Sequence, residues 1–244
     1  MRVVGVNLMN KYPKINLKID LKEDTNNCIN FIRSELKGNK RQFMLWFLPD
    51  DFKYILSKNF SEKERNKIIK EYTKHIYRLR EKDIKKGLAK AQKDWQEIEE
   101  EYFKLVDKIF KNYPWPKGDY RGIASIWHMF PRYIEQKIFF FPYKHKISKY
   151  SNKVIAHEML HFIFFDYLKN KFKLKEHSKI KNKPDDYIWK VSEVFNNAIE
   201  DWKPYHQLLK DKPNPYTGTE KMFKKMKKQW QEKQDIDWLL KEWL

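Results

Sequence analysis

The chain has a single cysteine, Cys28, so no internal disulfide can form and the cross-linked frameworks of small secreted domains are excluded. Glycine is scarce, six in 244 residues, which leaves few positions for tight β-turns and points to a helix-rich protein. No apolar run approaches the roughly 20 residues needed to span a bilayer, so no membrane association is expected. The opening stretch MRVVGVNLMNKYPK has one basic residue before a short apolar run broken by Asn7 and Asn10, which does not read as a secretory signal. A cytoplasmic location is the expectation. Low-complexity blocks, internal repeats and arginine-rich patches are also missing.

What remains is rich in core-forming residues. Hydrophobic residues make up 41% of the chain and aromatics 16%, enough for one large domain or two small ones. The 52 basic residues outnumber the 33 acidic ones, giving a net charge of +19, most of it lysine spread along the whole length. Such a surface attracts polyanions. With no nucleic-acid motif in the sequence, the expected binding to nucleic acid is weak, salt-sensitive and independent of sequence.

Hydrophobic patterning divides the chain. INLKIDL, residues 15–21, alternates as a strand. DTNNCINFIRSEL reads as a helix with Asp24 or Thr25 as its cap and Gly38 as its stop. RQFMLWFLP at 41–49 reads as a buried strand. Residues 61–112 are highly charged with helical periodicity, opened by a Ser61/Glu64 capping box. They are expected to form two helices, or one helix weakened near Gly87, packed as a hairpin or lid. The breaker YPWPKG at 113–118 suggests a boundary, with residues 1–115 on one side and 116–244 on the other.

Beyond it, RGIASIWHMF and YIEQKIFFFPYKH are strand-like, and Pro142 marks the end or edge of the second. A helix is expected from about Ser151 to Lys169, capped by Ser151 or Asn152. Another runs from about Asp185 to Asp201 and stops at Pro204, and the stretch 219–244 is helical. The expected class is α+β: a small mixed sheet with two long apolar helices, preceded by a small α/β piece and a charged helical segment.

The first of those helices contains AHEMLHF, residues 156–162. Side chains four apart share a helical face, so His157 and His161 direct their rings toward one point, with Glu158 turned about 100° away. Two imidazoles beside a carboxylate that can take a proton from bound water suit a zinc centre. Val154, Ile155, Met159, Phe162, Ile163 and Phe165 surround the pair. Ionisable groups in such a helix would suffer heavy desolvation, which a metal would relieve.

A third ligand is needed from downstream: Glu176, His177, Asp185, Asp186, Glu193, Glu200, Asp201 and His206 are the candidates. WKVSEVFNNAIEDW has the pattern of a buried helix, and a carboxylate there needs a partner more than one in a lysine-rich loop. Glu193, 32 residues after His161, is therefore the leading ligand, Asn197 could hydrogen-bond a ligand, and Glu200 is the runner-up for either role.

Strands, then an HExxH helix, then a second helix carrying glutamate, resembles the zincin metallopeptidases, and more narrowly the minimal gluzincins. The resemblance covers about residues 120–205. It implies that His157, His161 and Glu193 bind Zn2+ and that Glu158 is the general base and acid. The implied reaction is hydrolysis of peptide bonds in a peptide or protein substrate by Glu-assisted attack of zinc-bound water. Asn197 stands where these enzymes usually carry aspartate, and the histidine motif lacks the metzincin extension HExxHxxGxxH.

By the same resemblance IEQKIFFFP would be an edge strand pairing with extended substrate, and Tyr187, Tyr205 or His206 would face the oxyanion. The alternative reading is a basic binding factor for nucleic acid or protein that uses a zincin scaffold with little catalysis. The apolar end DIDWLLKEWL must pack on something, either the core or the substrate groove, where it would hold an enzyme latent.

Overall fold

The computed structural model describes residues 12–38, 44–57, 59–210 and 212–244. Strand β1 (Ile15–Lys18) leads into helix α1 (Leu21–Lys37), and α2 (Glu62–Leu79), α3 (Glu81–Gln96) and α4 (Glu99–Ile109) follow. Next come β2 (Tyr120–Ser125), β3 (Arg132–Tyr133) and β4 (Ile138–Pro142). Helices α5 (Tyr150–Tyr167), α6 (Tyr187–Glu200), α7 (Lys203–Leu209), α8 (Glu220–Glu232) and α9 (Ile236–Trp243) complete the chain. The protein is α+β, mostly helical, with one small mixed sheet. Among the described residues no helix is long and apolar enough to cross a membrane.

The chain forms two compact units, each discontinuous in sequence. One holds described residues 12–13, 96–118, 156–210 and 212–244; the other holds 14–38, 44–57, 59–95 and 119–155. The boundary expected after residue 115 falls inside a segment of the first unit.

The sheet lies wholly in the second unit. Its strand order is β1-β2-β4-β3, with β1, β2 and β4 parallel and β3 antiparallel to β4. IEQKIFFFP is thus not an edge: its strand β4 lies between β2 and β3, and every residue of it is buried. A run of consecutive apolar residues with both faces covered is what an interior strand requires. The edge beside it is the two-residue β3.

The run at 41–49 also departs from the strand reading over its described part; residues 41–43 lie outside the described residues. Met44–Phe47 turn, and a 3-10 helix spans Asp50–Leu56. Met44, Leu48, Phe52, Ile55 and Leu56 are buried, whereas Trp46 is 81% exposed. That spacing of three and four is helical, and it aims these residues into a cluster with Cys28, Ile32, Ile69 and Trp127.

Helix α1 begins before the expected caps. Asp20 is its N-cap and accepts from the Glu23 N–H at 3.0 Å. Asp24 is instead fully buried and takes three donors: the Ser125 hydroxyl at 2.6 Å, the Tyr77 hydroxyl at 2.9 Å and the Ile126 N–H at 3.0 Å. Burial pushes its carboxyl up to about 6 even though all three donors favour the ionised form. This network bends the chain out of β2 after Ser125, so RGIASIWHMF is a strand only in its first half.

The charged segment 61–112 makes three helices rather than one or two. The Ser61/Glu64 capping box is present, with Ser61 N–H to Glu64 Oε2 at 2.8 Å and Glu64 N–H to Ser61 Oγ at 3.3 Å. The breaks fall at Arg80 and at 97–98, not at Gly87, which sits inside α3. Helices α2 and α3 up to Trp95 belong to the second unit and α4 to the first.

Gly87 has a packing role. A Cβ built there would stand 2.1 Å from the Tyr143 carbonyl oxygen, far inside contact distance. Gly→Ala inside a helix ordinarily stabilises by about 1 kcal/mol. Here Gly87→Ala is expected to reverse that sign and destabilise by about 1–3 kcal/mol through overpacking, read as a lowered melting temperature.

Candidate metal centre

All the residues of the centre lie in the first unit. Helix α5 is buried on nearly every side from Val154 to Phe165, with only His157 partly open to solvent. A helix apolar all round is an interior helix, so the polar groups on it must find partners inside. Ser151 and Asn152, expected as caps, lie in its first turn. The Ser151 hydroxyl donates to the Pro142 carbonyl at 2.7 Å and the Asn152 amide to the Asp94 carbonyl at 2.9 Å. The helix ends in a π-turn at Leu168–Phe172, closed by Lys173 in the left-handed region at φ 60°.

Helix α6 is buried at every position from Val191 to Glu200, including Ser192, Glu193, Asn196, Asn197 and Glu200. Pro204, expected to stop it, sits in the first turn of α7, where its missing N–H costs nothing.

The two helices bring four side chains together. His157 Nε2 and His161 Nε2 are 3.1 Å apart. Glu193 sets one oxygen on each ring: Oε2 is 3.2 Å from His157 Nε2, and Oε1 is 3.4 Å from His161 Nε2. Glu200 Oε1 lies 2.6 Å from the other nitrogen of His157, Nδ1. His161 and Glu193 are closed off, while the His157 side chain keeps 19% of its surface exposed. His157, His161 and Glu193 form the one group of this kind among the described residues that could hold a metal ion.

Burial opposes a charged His157, but the neighbouring Glu200, hydrogen bonds with Glu193 and Glu200, and the field of Glu158 outweigh it and hold its pKa well above the usual histidine value. Glu158 itself is 5% exposed.

Of the residues picked from sequence, His157, His161 and Glu193 converge, and Glu158 is buried directly after the first of them. Glu200 does not join the donor group; it holds the far side of His157. The other ligand candidates are engaged elsewhere or exposed. Asp185 pairs with Lys179 at 3.1 Å, Asp186 with Lys190 at 3.0 Å and Asp201 with Lys227 at 2.8 Å, and His177 is exposed.

Asn197 does not reach a ligand side chain, because its amide donates to the backbone carbonyl of Glu193 at 2.8 Å. Its neighbour Asn196, not singled out from sequence, donates to the His157 carbonyl at 2.9 Å and ties α6 to α5. Two of the oxyanion candidates are structurally employed. Tyr187 donates to the Trp243 carbonyl at 2.9 Å, and Tyr205 is buried with its ring edge-on to Tyr102.

Comparison of the chain with protein-family models, with curated proteins and with solved structures finds no match. The reading of the site therefore rests on its own geometry.

Proposed function

We propose that the chain is a zinc-dependent peptide hydrolase with a zincin-like centre of gluzincin type. The observation that carries this reading is the spacing of the donor atoms. Two ligands about 2.0–2.1 Å from a tetrahedral zinc stand about 3.3 Å apart. His157 Nε2 and His161 Nε2, 3.1 Å apart, are close to that edge; Glu193 sets Oε2 3.2 Å from the first and Oε1 3.4 Å from the second, and with one donor atom from each residue the group lies within 4.8 Å. The donor set, two imidazoles and one carboxylate, suits zinc and leaves a fourth position for water or substrate.

When bound, zinc would act as a Lewis acid and ease deprotonation of water near neutral pH. The rest of the chemistry belongs to the chain. With zinc in place of the Nε2 proton, Glu200 would accept the Nδ1 proton of His157 and fix the orientation of the ring. Asn196 pins the backbone at His157, so the two ligand-bearing helices keep their register. Glu158 sits beside the pair in a dry setting, suited to accept a proton from water and pass it to the leaving amine. The alternative, a binding factor that keeps this centre as scaffold, has the +19 charge in its favour but leaves Glu158 without a role.

Elemental analysis of the dialysed protein tests the reading. One zinc per chain is expected. His161→Ala and Glu193→Ala should lose it, whereas Glu200→Gln should keep it with affinity weakened about 10–100-fold. Full occupancy in Glu193→Ala would remove Glu193 from the centre.

A further inference from the structure

A cavity of about 370 Å³ lies in the second unit, within the size range of small-molecule sites. It opens where the parallel strands β2 and β4 end side by side, Ser125 in register with Pro142. Carboxyl ends of parallel strands are where such sheets bind ligands, because the loops leaving them are free to vary while the strands hold them still.

The chemistry of the lining is uneven. Arg80, His128 and Lys144 all border the cavity and are exposed, and among the described residues none makes a direct ion pair with a carboxylate. Arg80 hydrogen-bonds the Tyr143 hydroxyl at 3.5 Å and lies in the weaker fields of Tyr72 and Asp51. Asp83 is the single acidic residue on the wall. A guanidinium, an ammonium and an imidazole bordering one recess, with Asp83 the one carboxylate among its lining residues, favour an anionic occupant.

The loops that carry them are held from beneath. Ser125 Oγ donates to buried Asp24 and accepts from the Trp127 N–H at 3.0 Å, so the turn carrying His128 is fixed. The Tyr143 N–H bonds the Ser125 carbonyl at 3.4 Å, and its own carbonyl packs against Gly87. A buried carboxylate and a helical glycine thus both serve to shape the end of the sheet, which is the preorganisation that a binding site requires.

We propose that this cavity binds the phosphate monoester of a small polar molecule. The donors decide for phosphate over carboxylate. A guanidinium, an ammonium, an imidazole and a phenol can satisfy three terminal oxygens, where a carboxylate offers two. Ile126, Trp127 and Pro142 supply an apolar wall for the organic part, and Asp83 can accept from a hydroxyl or amino group on it. The site belongs to the unit without the histidine pair and does not depend on the peptidase reading.

Titration calorimetry on the full chain tests this, with inorganic phosphate, glycerol 3-phosphate and glycerol as probes. Saturable binding of both phosphates, tighter for the ester and absent for glycerol, is expected. Arg80→Gln with Lys144→Gln should weaken it by about tenfold or more. Lys171→Gln with Lys181→Gln, which removes the same charge from exposed positions outside the cavity, should leave it unchanged. An equal drop in both double variants would reduce the effect to net charge and overturn the site, as would no saturable binding. Equal affinity for phosphate and its ester would overturn the place assigned to the organic part.

Discussion

Glu158→Gln is expected to leave zinc content and fold intact and to lower peptide hydrolysis by about 10²–10⁴-fold, the ordinary range for removing a general base. The substitution keeps the shape of the side chain, and Glu158 is not among the donors facing the metal position, so a loss of zinc is not expected. The measurement is turnover of a peptide library at matched zinc loading. Undiminished hydrolysis in the variant would take the base role away from Glu158. Absence of hydrolysis in the zinc-loaded parent chain would remove the peptidase reading while leaving the metal centre standing. The two outcomes are separable because zinc is counted independently.

The second large effect concerns residues 235–244. From sequence, this apolar stretch had two destinations, the core or the substrate groove. In the structure it is core. Helix α9 buries Ile236, Leu239, Leu240 and Trp243. Asp235 caps it, accepting from the Trp238 N–H at 3.1 Å. Lys111 bridges Asp235 and Asp237 at 2.8 and 2.7 Å, Tyr167 donates to Asp237, and the Trp243 indole donates to Gln229 at 2.8 Å.

Burying a large apolar side chain contributes about 1.5–3 kcal/mol as an upper estimate, so four of them rival the whole stability of a typical domain, about 5–15 kcal/mol. Deleting 235–244 is therefore expected to abolish cooperative unfolding of the first unit and to release zinc with it. Circular dichroism melting and zinc analysis of the truncated chain check this. A stable truncated chain with zinc retained and hydrolysis raised would show instead that the segment had been blocking substrate.

The centre was the most legible part of the chain, for a geometric reason. A spacing of four on a helix is enough to bring two histidines to one face, and a carboxylate in an apolar helix has few stable fates besides a partner. The assignment of Asn197 went astray because a step of four was preferred to a step of seven. At 100° per residue, four residues advance a side chain 40° past Glu193, while seven bring it to within 20°. Glu200 is thus closer in phase to Glu193 than Asn197 is, and it is Glu200 that reaches His157.

The sheet was harder to read. The sequence of β4 shows that it is apolar, but its neighbours depend on long-range pairing that local pattern does not encode; Pro142 closes the strand without lying at an edge. The three-way break of the charged segment was hidden for a similar reason. Gly87 looked like a weak point, but its purpose is the approach of Tyr143, 56 residues away in sequence.

The interleaving of the two units bears on the order of events during synthesis. Translation delivers His157 and His161 first, then Glu193 and Glu200, and only afterwards the helix that covers the core around them. Nascent domains fold as units once their parts have emerged. The segments of the sheet-bearing unit have all been made by residue 155, when the unit that carries the histidine pair still lacks residues 156–244. The side chains of the candidate centre are thus made before α8 and α9 of the same unit, so the sheet-bearing unit is able to fold first.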